Sequence, residues 1–142
     1  MRRALLAFAA VLPGLTFAAD DARQPIVMPQ EARAEMRAEM LDFQTALHQI
    51  IEALAAGRHA EAAEVAERTM GISAMGRHRN APANARPGMF MPNEMHAIAR
   101  GLHASASDFA RTARTGETNK ALEALATVTG ACVACHRSYR IQ

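Results

Sequence analysis

An apolar seam of helical period limits this chain most. Met36, Met40, Phe43, Leu47, Ile50 and Leu54 step by four or three residues, drawing one stripe down a single helix. Pro29 suits its first turn and Gly57 its end. A second, Ala-rich helix is expected over His59–Met70, extending to Met75 if Gly71 is tolerated; Ala62, Val65, Ala66, Thr69 and Met70 form its apolar side. Residues 76–92 carry Pro82, Pro87, Gly88 and Pro92, which forbid a regular helix there. Asn93 is read as the cap of a third helix from Glu94 to about Thr115, with Met95, Ile98, Leu102, Ala106 and Phe109 facing inward. After Gly116, Thr118 or Asn119 caps a fourth helix running to about Tyr139. No strand-like alternation is evident, and residues 20–28 read as an extended leader. Four amphipathic helices with two short connections and one longer one predict an all-α fold, an antiparallel four-helix bundle.

The N-terminus reads differently. Met1-Arg2-Arg3 precedes an almost unbroken apolar run, Ala4 to Phe17, and Thr16-Phe17-Ala18 offers small residues for cleavage. This is the pattern of a secretory signal peptide over residues 1–18, leaving 19–142 as the bundle domain. The run is shorter than the ~20 residues a transmembrane helix requires, so no membrane span is expected after cleavage. A periplasmic location follows from that reading. Arg2 and Arg3 leave with the signal, so fourteen basic residues face fourteen acidic ones in the remainder. The basic pI of 8.9 is then a property of the precursor and gives no reason to expect nucleic acid or an anionic membrane as partner.

The chemistry is concentrated in Cys132-Val133-Ala134-Cys135-His136. Two thiols three residues apart on a helix lie on one side, where both can add to the vinyl groups of a haem, and the following His can reach the iron. Leu122, Leu125, Val128, Cys132, Cys135 and Tyr139 continue a helical seam, so both thiols are expected to face the bundle. A thioredoxin-like pair needs a βαβ context, a structural zinc site needs two further ligands, and a disulfide within one helical turn is strained. One covalently attached haem c, with His136 as proximal iron ligand, is the expected cofactor. With no Trp, one Tyr and few Phe, a buried porphyrin would also supply bulk to an aromatic-poor core.

On these residues, with Arg137-Ser138-Tyr139-Arg140 closing the motif near the C-terminus, the chain resembles the class II cytochromes c, the cytochrome c′ family. The resemblance implies a four-helix bundle and a division by the sixth iron position. Its register puts Leu41 over an open distal site and Arg37 near a propionate. That arrangement would bind nitric oxide or carbon monoxide. The seam points elsewhere: Met40, with Met36 as second choice, faces inward and would supply a thioether ligand, giving a plain electron carrier. Pairing as a homodimer through the first helix is likewise implied by resemblance alone.

Of the remaining histidines, His48, His59 and His78 read as solvent-exposed, while His96 and His103 share one side of the third helix. Met89-Phe90-Met91 reads as an apolar lid, with copper binding together with Met95, His96 and the thiols as the alternative. No nucleophile elbow, phosphate loop or paired-acid signature is present, so no enzyme is expected. The leading expectation is a one-electron carrier serving periplasmic redox partner proteins, ahead of gas binding under Leu41 and copper handling.

Overall fold

A computed structural model describes residues 21–142; the signal peptide assigned to residues 1–18 lies outside the described residues. Four α-helices dominate: α1 (Gln30–Ala55), α2 (His59–Met70), α3 (Asn93–Ala113) and α4 (Thr118–Ser138). Short 3-10 turns at Ile72–Ala74, Ala83–Ala85 and Pro87–Phe90 occupy the proline-rich connection, as its composition demands. α1 packs on α2, α2 on α3 and α3 on α4, while backbone contact between α1 and α4 is sparse. The all-α four-helix bundle is therefore present.

Small residues set the packing distance. Ala46, Ala53, Ala62, Ala66, Ala106, Ala110, Ala113 and Ala121 are essentially inaccessible and let the helices approach closely. Ile50, Met70, Phe109 and Val128 provide the bulk between them. α1 ends as its glycine predicts: Gly57 takes φ +71°, Arg58 N–H donates to Ala53 O at 2.8 Å, and Gly57 N–H donates to Leu54 O at 3.1 Å. Both bonds satisfy carbonyls that the helix itself leaves free.

Some local expectations are corrected. Asn93 and Thr118 are helical rather than caps; Pro92 and Glu117 flank the two helices, with no side-chain cap bond. Leu122 points to solvent at 47% exposure, because the α4 seam narrows to Ala121, Leu125 and Val128 where α4 meets α3. A strand pair is also present: β1 (Gln24–Ile26) lies parallel to β2 (Tyr139–Ile141), with Gln24 opposite Tyr139 and Ile26 opposite Ile141. Gln142 N–H donates to Ile26 O at 3.0 Å and Met28 N–H to Gln142 O at 3.3 Å. Tyr139 thus belongs to a strand and α4 stops one residue earlier.

Candidate functional site

The apolar interior divides in two. The larger cluster fills the bundle around Phe43, Ile50 and Phe109. A second cluster of Ile26, Met28, Ala32, Met36 and Met95 sits where β1, the first half of α1 and the start of α3 meet. Cys132 packs against the first cluster and Cys135 against the second, so the two thiols straddle the boundary. Both are free and half-buried. Cys132 Sγ donates weakly to Val128 O, 3.7 Å away along α4. Burial pushes both thiols above their ordinary pKa, and for Cys135 the neighbouring Cys132 adds to the rise. At neutral pH both thiols are therefore protonated and uncharged, and an S–H of this kind can add across a vinyl group.

Across from the thiols, α1 presents methionines. Met36 is buried in the second cluster, and Met40 is half-buried and packs against both. Leu41 is 63% exposed and belongs to neither; Arg37 is also exposed. The difference is geometric: consecutive residues are turned about 100° round an α-helix, so the inward position of Met40 turns its neighbour outward. Phe90 and Met91 fold onto the second cluster beside Cys135 and Tyr139, while Met89 remains exposed at 66%. The lid expected from Met89-Phe90-Met91 is thus built from two of its three residues.

The histidines separate clearly. His96 Nε2 lies 2.7 Å from Gly88 O, and His103 Nδ1 lies 2.8 Å from Met70 O, so each ring ties α3 to a different carbonyl. His59 Nε2 lies 2.8 Å from Thr118 Oγ1, joining α2 to α4. His78 is only 16% exposed, its two ring nitrogens 3.4 Å from Glu35 and 3.5 Å from Glu39. The solvent-exposed reading of His59 and His78 is therefore corrected: each folds back onto a polar partner from another element. His136 is exposed, and no hydrogen bond engages its ring among the described residues. Among the described residues no group of three or more His, Cys, Asp or Glu side chains could hold a metal ion, and His96 is engaged elsewhere.

The N-terminal segment meets the motif directly. Arg23 Nη1 donates to His136 O at 3.4 Å, a carbonyl in the last turn of α4 that the helix leaves unpaired. Asp21 holds Arg23 at 2.7 Å and lies 3.7 Å from Arg140 Nε. The Arg23 hydrogen bonds pull the Asp21 carboxyl down to about 2. Sequence reasoning did not find this strap. The signal was present but short: Ile26 and Met28 are buried while Val27 between them is 74% exposed, a period-two alternation of three residues.

The donor set fits a haem. Two unpaired thiols one turn apart on α4 share the edges of the apolar clusters with Met36 and Met40 of α1, and the exposed, unengaged imidazole of His136 follows Cys135 directly. A family model described as Cytochrome C' matches residues 24–140. No curated protein and no solved structure matches the chain.

Proposed function

The chain belongs to the cytochrome c′ family, and from that premise we propose that it is an exported one-electron carrier with one haem c attached at Cys132 and Cys135. His136 would supply one ligand to the iron and Met40 the other. The haem supplies the redox-active iron; the chain supplies attachment, axial ligation and an apolar surround. The observation that supports this reading best is the shared surface of Cys132, Cys135 and Met40 at the boundary of the two clusters, with Leu41 turned to solvent. Met36, deeper in the second cluster, is the reserve ligand.

In this arrangement each group has one task. The thiols form the covalent anchors, and their attachment outside the cytoplasm requires the leader of residues 1–18 to have delivered the chain there. Met36, Phe90, Met91 and Tyr139 exclude water, which with the thioether ligand raises the reduction potential. The Arg23 bond to the His136 carbonyl fixes the end of α4 from which the imidazole projects. Arg37, exposed on α1, would pair with a haem propionate.

The test is covalent attachment. Protein exported alongside the haem-ligation machinery, then denatured and extracted with acidified acetone, should retain its haem. Cys132→Ser should weaken retention, and the Cys132→Ser/Cys135→Ser double variant should abolish it. Retention of haem by the double variant would overturn the proposed anchors.

A further inference from the structure

The near-zero charge of the chain beyond its leader conceals a segregation along the bundle. The antiparallel course brings the first half of α1, the proline-rich connection, the start of α3 and the end of α4 to one end, where the second apolar cluster draws residues from each. On α1 at that end, Glu35, Glu39 and Asp42 form an acidic stripe at helical spacing. The connection folds back over it and brings one positive charge, that of Arg77, to the stripe. Arg77 Nη2 lies 2.8 Å from Asp42 Oδ2, and His78 sits between Glu35 and Glu39. The arginines that flank the stripe keep their charge. Arg33, Arg37, Arg100 and Arg137 form no ion pair among the described residues, and Arg37, Arg100 and Arg137 are exposed. Arg79 and Arg86 bond to backbone carbonyls of their own segment, Gly76 O at 3.1 Å and Ala81 O at 2.6 Å, which leaves the positive charge uncompensated. Glu31 and Glu94 have no basic partner among the described residues and Glu35 and Glu39 meet only the His78 ring, yet the nine arginines of this end outnumber its six carboxylates.

The opposite end reverses the pattern. Arg58 pairs with Glu61, Arg68 with Glu64, Arg111 with Asp108 and Lys120 with Glu117. Arg114 forms no ion pair among the described residues, but neither do Glu52, Glu67 and Glu123, so acidic groups are in excess here. The described residues therefore carry a positive end around the thiols and a mildly negative end away from them. Fields of this kind steer charged partners and fix their orientation on encounter, whatever the net charge.

We infer that the arginine-rich end, around the haem attachment residues, is the docking face for an acidic redox protein, one whose carboxylates surround its own electron-transfer centre. The inference rests on the haem-protein reading above and adds the partner's chemistry to it. Charge complementarity carries it: arginines without an ion pair lie on α1, the proline-rich connection, α3 and α4, which all come to the cluster beside Cys135 or carry that thiol, and Val133 on α4, 54% exposed, adds an apolar contact. The chemistry that a bound haem would supply at this face is exchange of one electron with the partner, with no bond made or broken and no proton required.

The test uses the reduced holoprotein and two inorganic oxidants of opposite charge, hexacyanoferrate(III) and tris(1,10-phenanthroline)cobalt(III), each accepting one electron. Stopped-flow rates are followed from ~10 mM to ~0.5 M salt, over which the Debye length falls from about 30 Å to only a few ångströms. The anionic reagent should slow by about tenfold across that range and the cationic one should accelerate. Arg100→Gln/Arg137→Gln should flatten the anionic dependence, while Arg111→Gln at the far end should leave it unchanged. Equal salt dependence for the two reagents, or a steeper response to Arg111→Gln, would overturn the inference. So would sedimentation of the holoprotein with phosphatidylglycerol vesicles at 0.1 M salt, since the patch would then serve a lipid surface. Protein lacking a haem spectrum would instead refute the reading beneath it, before any rate is measured.

Discussion

Ser107→Ala tests how the connection after α2 is held to the bundle. Ser107 is the buried polar side chain of the core, 7% exposed. Its hydroxyl donates to Glu67 Oε2 at 2.6 Å and accepts from Ile72 N–H at 2.9 Å, linking α3, α2 and the turn after α2. Glu67 is further held by Ser73 N–H at 3.2 Å. A hydrogen bond to a charged group contributes about 1.5–3 kcal/mol, and the Ile72 amide, beside an exposed side chain, can turn to water at small cost. The variant should lose about 2–3 kcal/mol from a total stability of order 5–15 kcal/mol. With a urea m value of about 1–3 kcal/mol/M, the unfolding midpoint read by circular dichroism falls by roughly 1 M. The penalty should depend on pH. The Ser107 hydroxyl, first among several donors and against the opposing effect of burial, holds the Glu67 carboxyl below its ordinary value. A carboxylate depressed in the folded state contributes stability above its unfolded pKa and loses it as pH falls through the folded one. Below about pH 4.5 the wild type should therefore lose more stability than the variant, and the gap should narrow to about 1 kcal/mol once Glu67 is neutral. A penalty under about 0.5 kcal/mol at pH 7, or one that does not change between pH 7 and 3, refutes the argument.

Three further outcomes are expected. Met40→Ala should convert the haem protein to a high-spin form that binds carbon monoxide, whereas Leu41→Ala should leave the absorption spectrum unchanged; the reverse result assigns the distal face to Leu41. Gly57→Ala meets nothing within 4 Å, so its cost of about 1–2 kcal/mol comes from the left-handed backbone alone, while Gly101→Ala, in open space within α3, should stabilise by about 0.5–1 kcal/mol. Urea titrations that give the two glycine variants the same sign contradict this. Because burial raises both thiols, haem-free protein should alkylate with iodoacetamide several-fold more slowly at pH 8 than a free thiol does, quickening above pH 9.

Helix identity was legible because the apolar periodicity and the breaking residues agreed. The Met36-to-Leu54 seam and Gly57 fixed α1, and the prolines from Pro82 to Pro92 fixed the gap before α3. Capping was not legible in the same way. Asn93 and Thr118 are favoured cap residues, yet Pro92 and Glu117 stand just outside the helices, since a good cap residue is tolerated one position inside. The strand pair escaped because three residues are too few for a periodic signal, and its partner lies 115 positions away, from Gln24 to Tyr139. His78 escaped for the same reason: the carboxylates that hold it, Glu35 and Glu39, belong to another helix. The motif Cys132 to His136 was readable in sequence as chemistry. Its setting, with one thiol on each apolar cluster and Met40 touching both, became visible only when α1 and α4 were placed together.

The spin state of the intact haem protein bears most directly on the claim that this is an electron carrier. Absorption spectra should be recorded oxidised, reduced, and reduced under carbon monoxide, on protein carrying covalent haem. The proposed ligand pair predicts a low-spin spectrum that carbon monoxide does not alter, because His136 and Met40 would then both be bound to the iron. A high-spin spectrum that shifts under carbon monoxide would contradict it and move the function to gas binding at an open distal face.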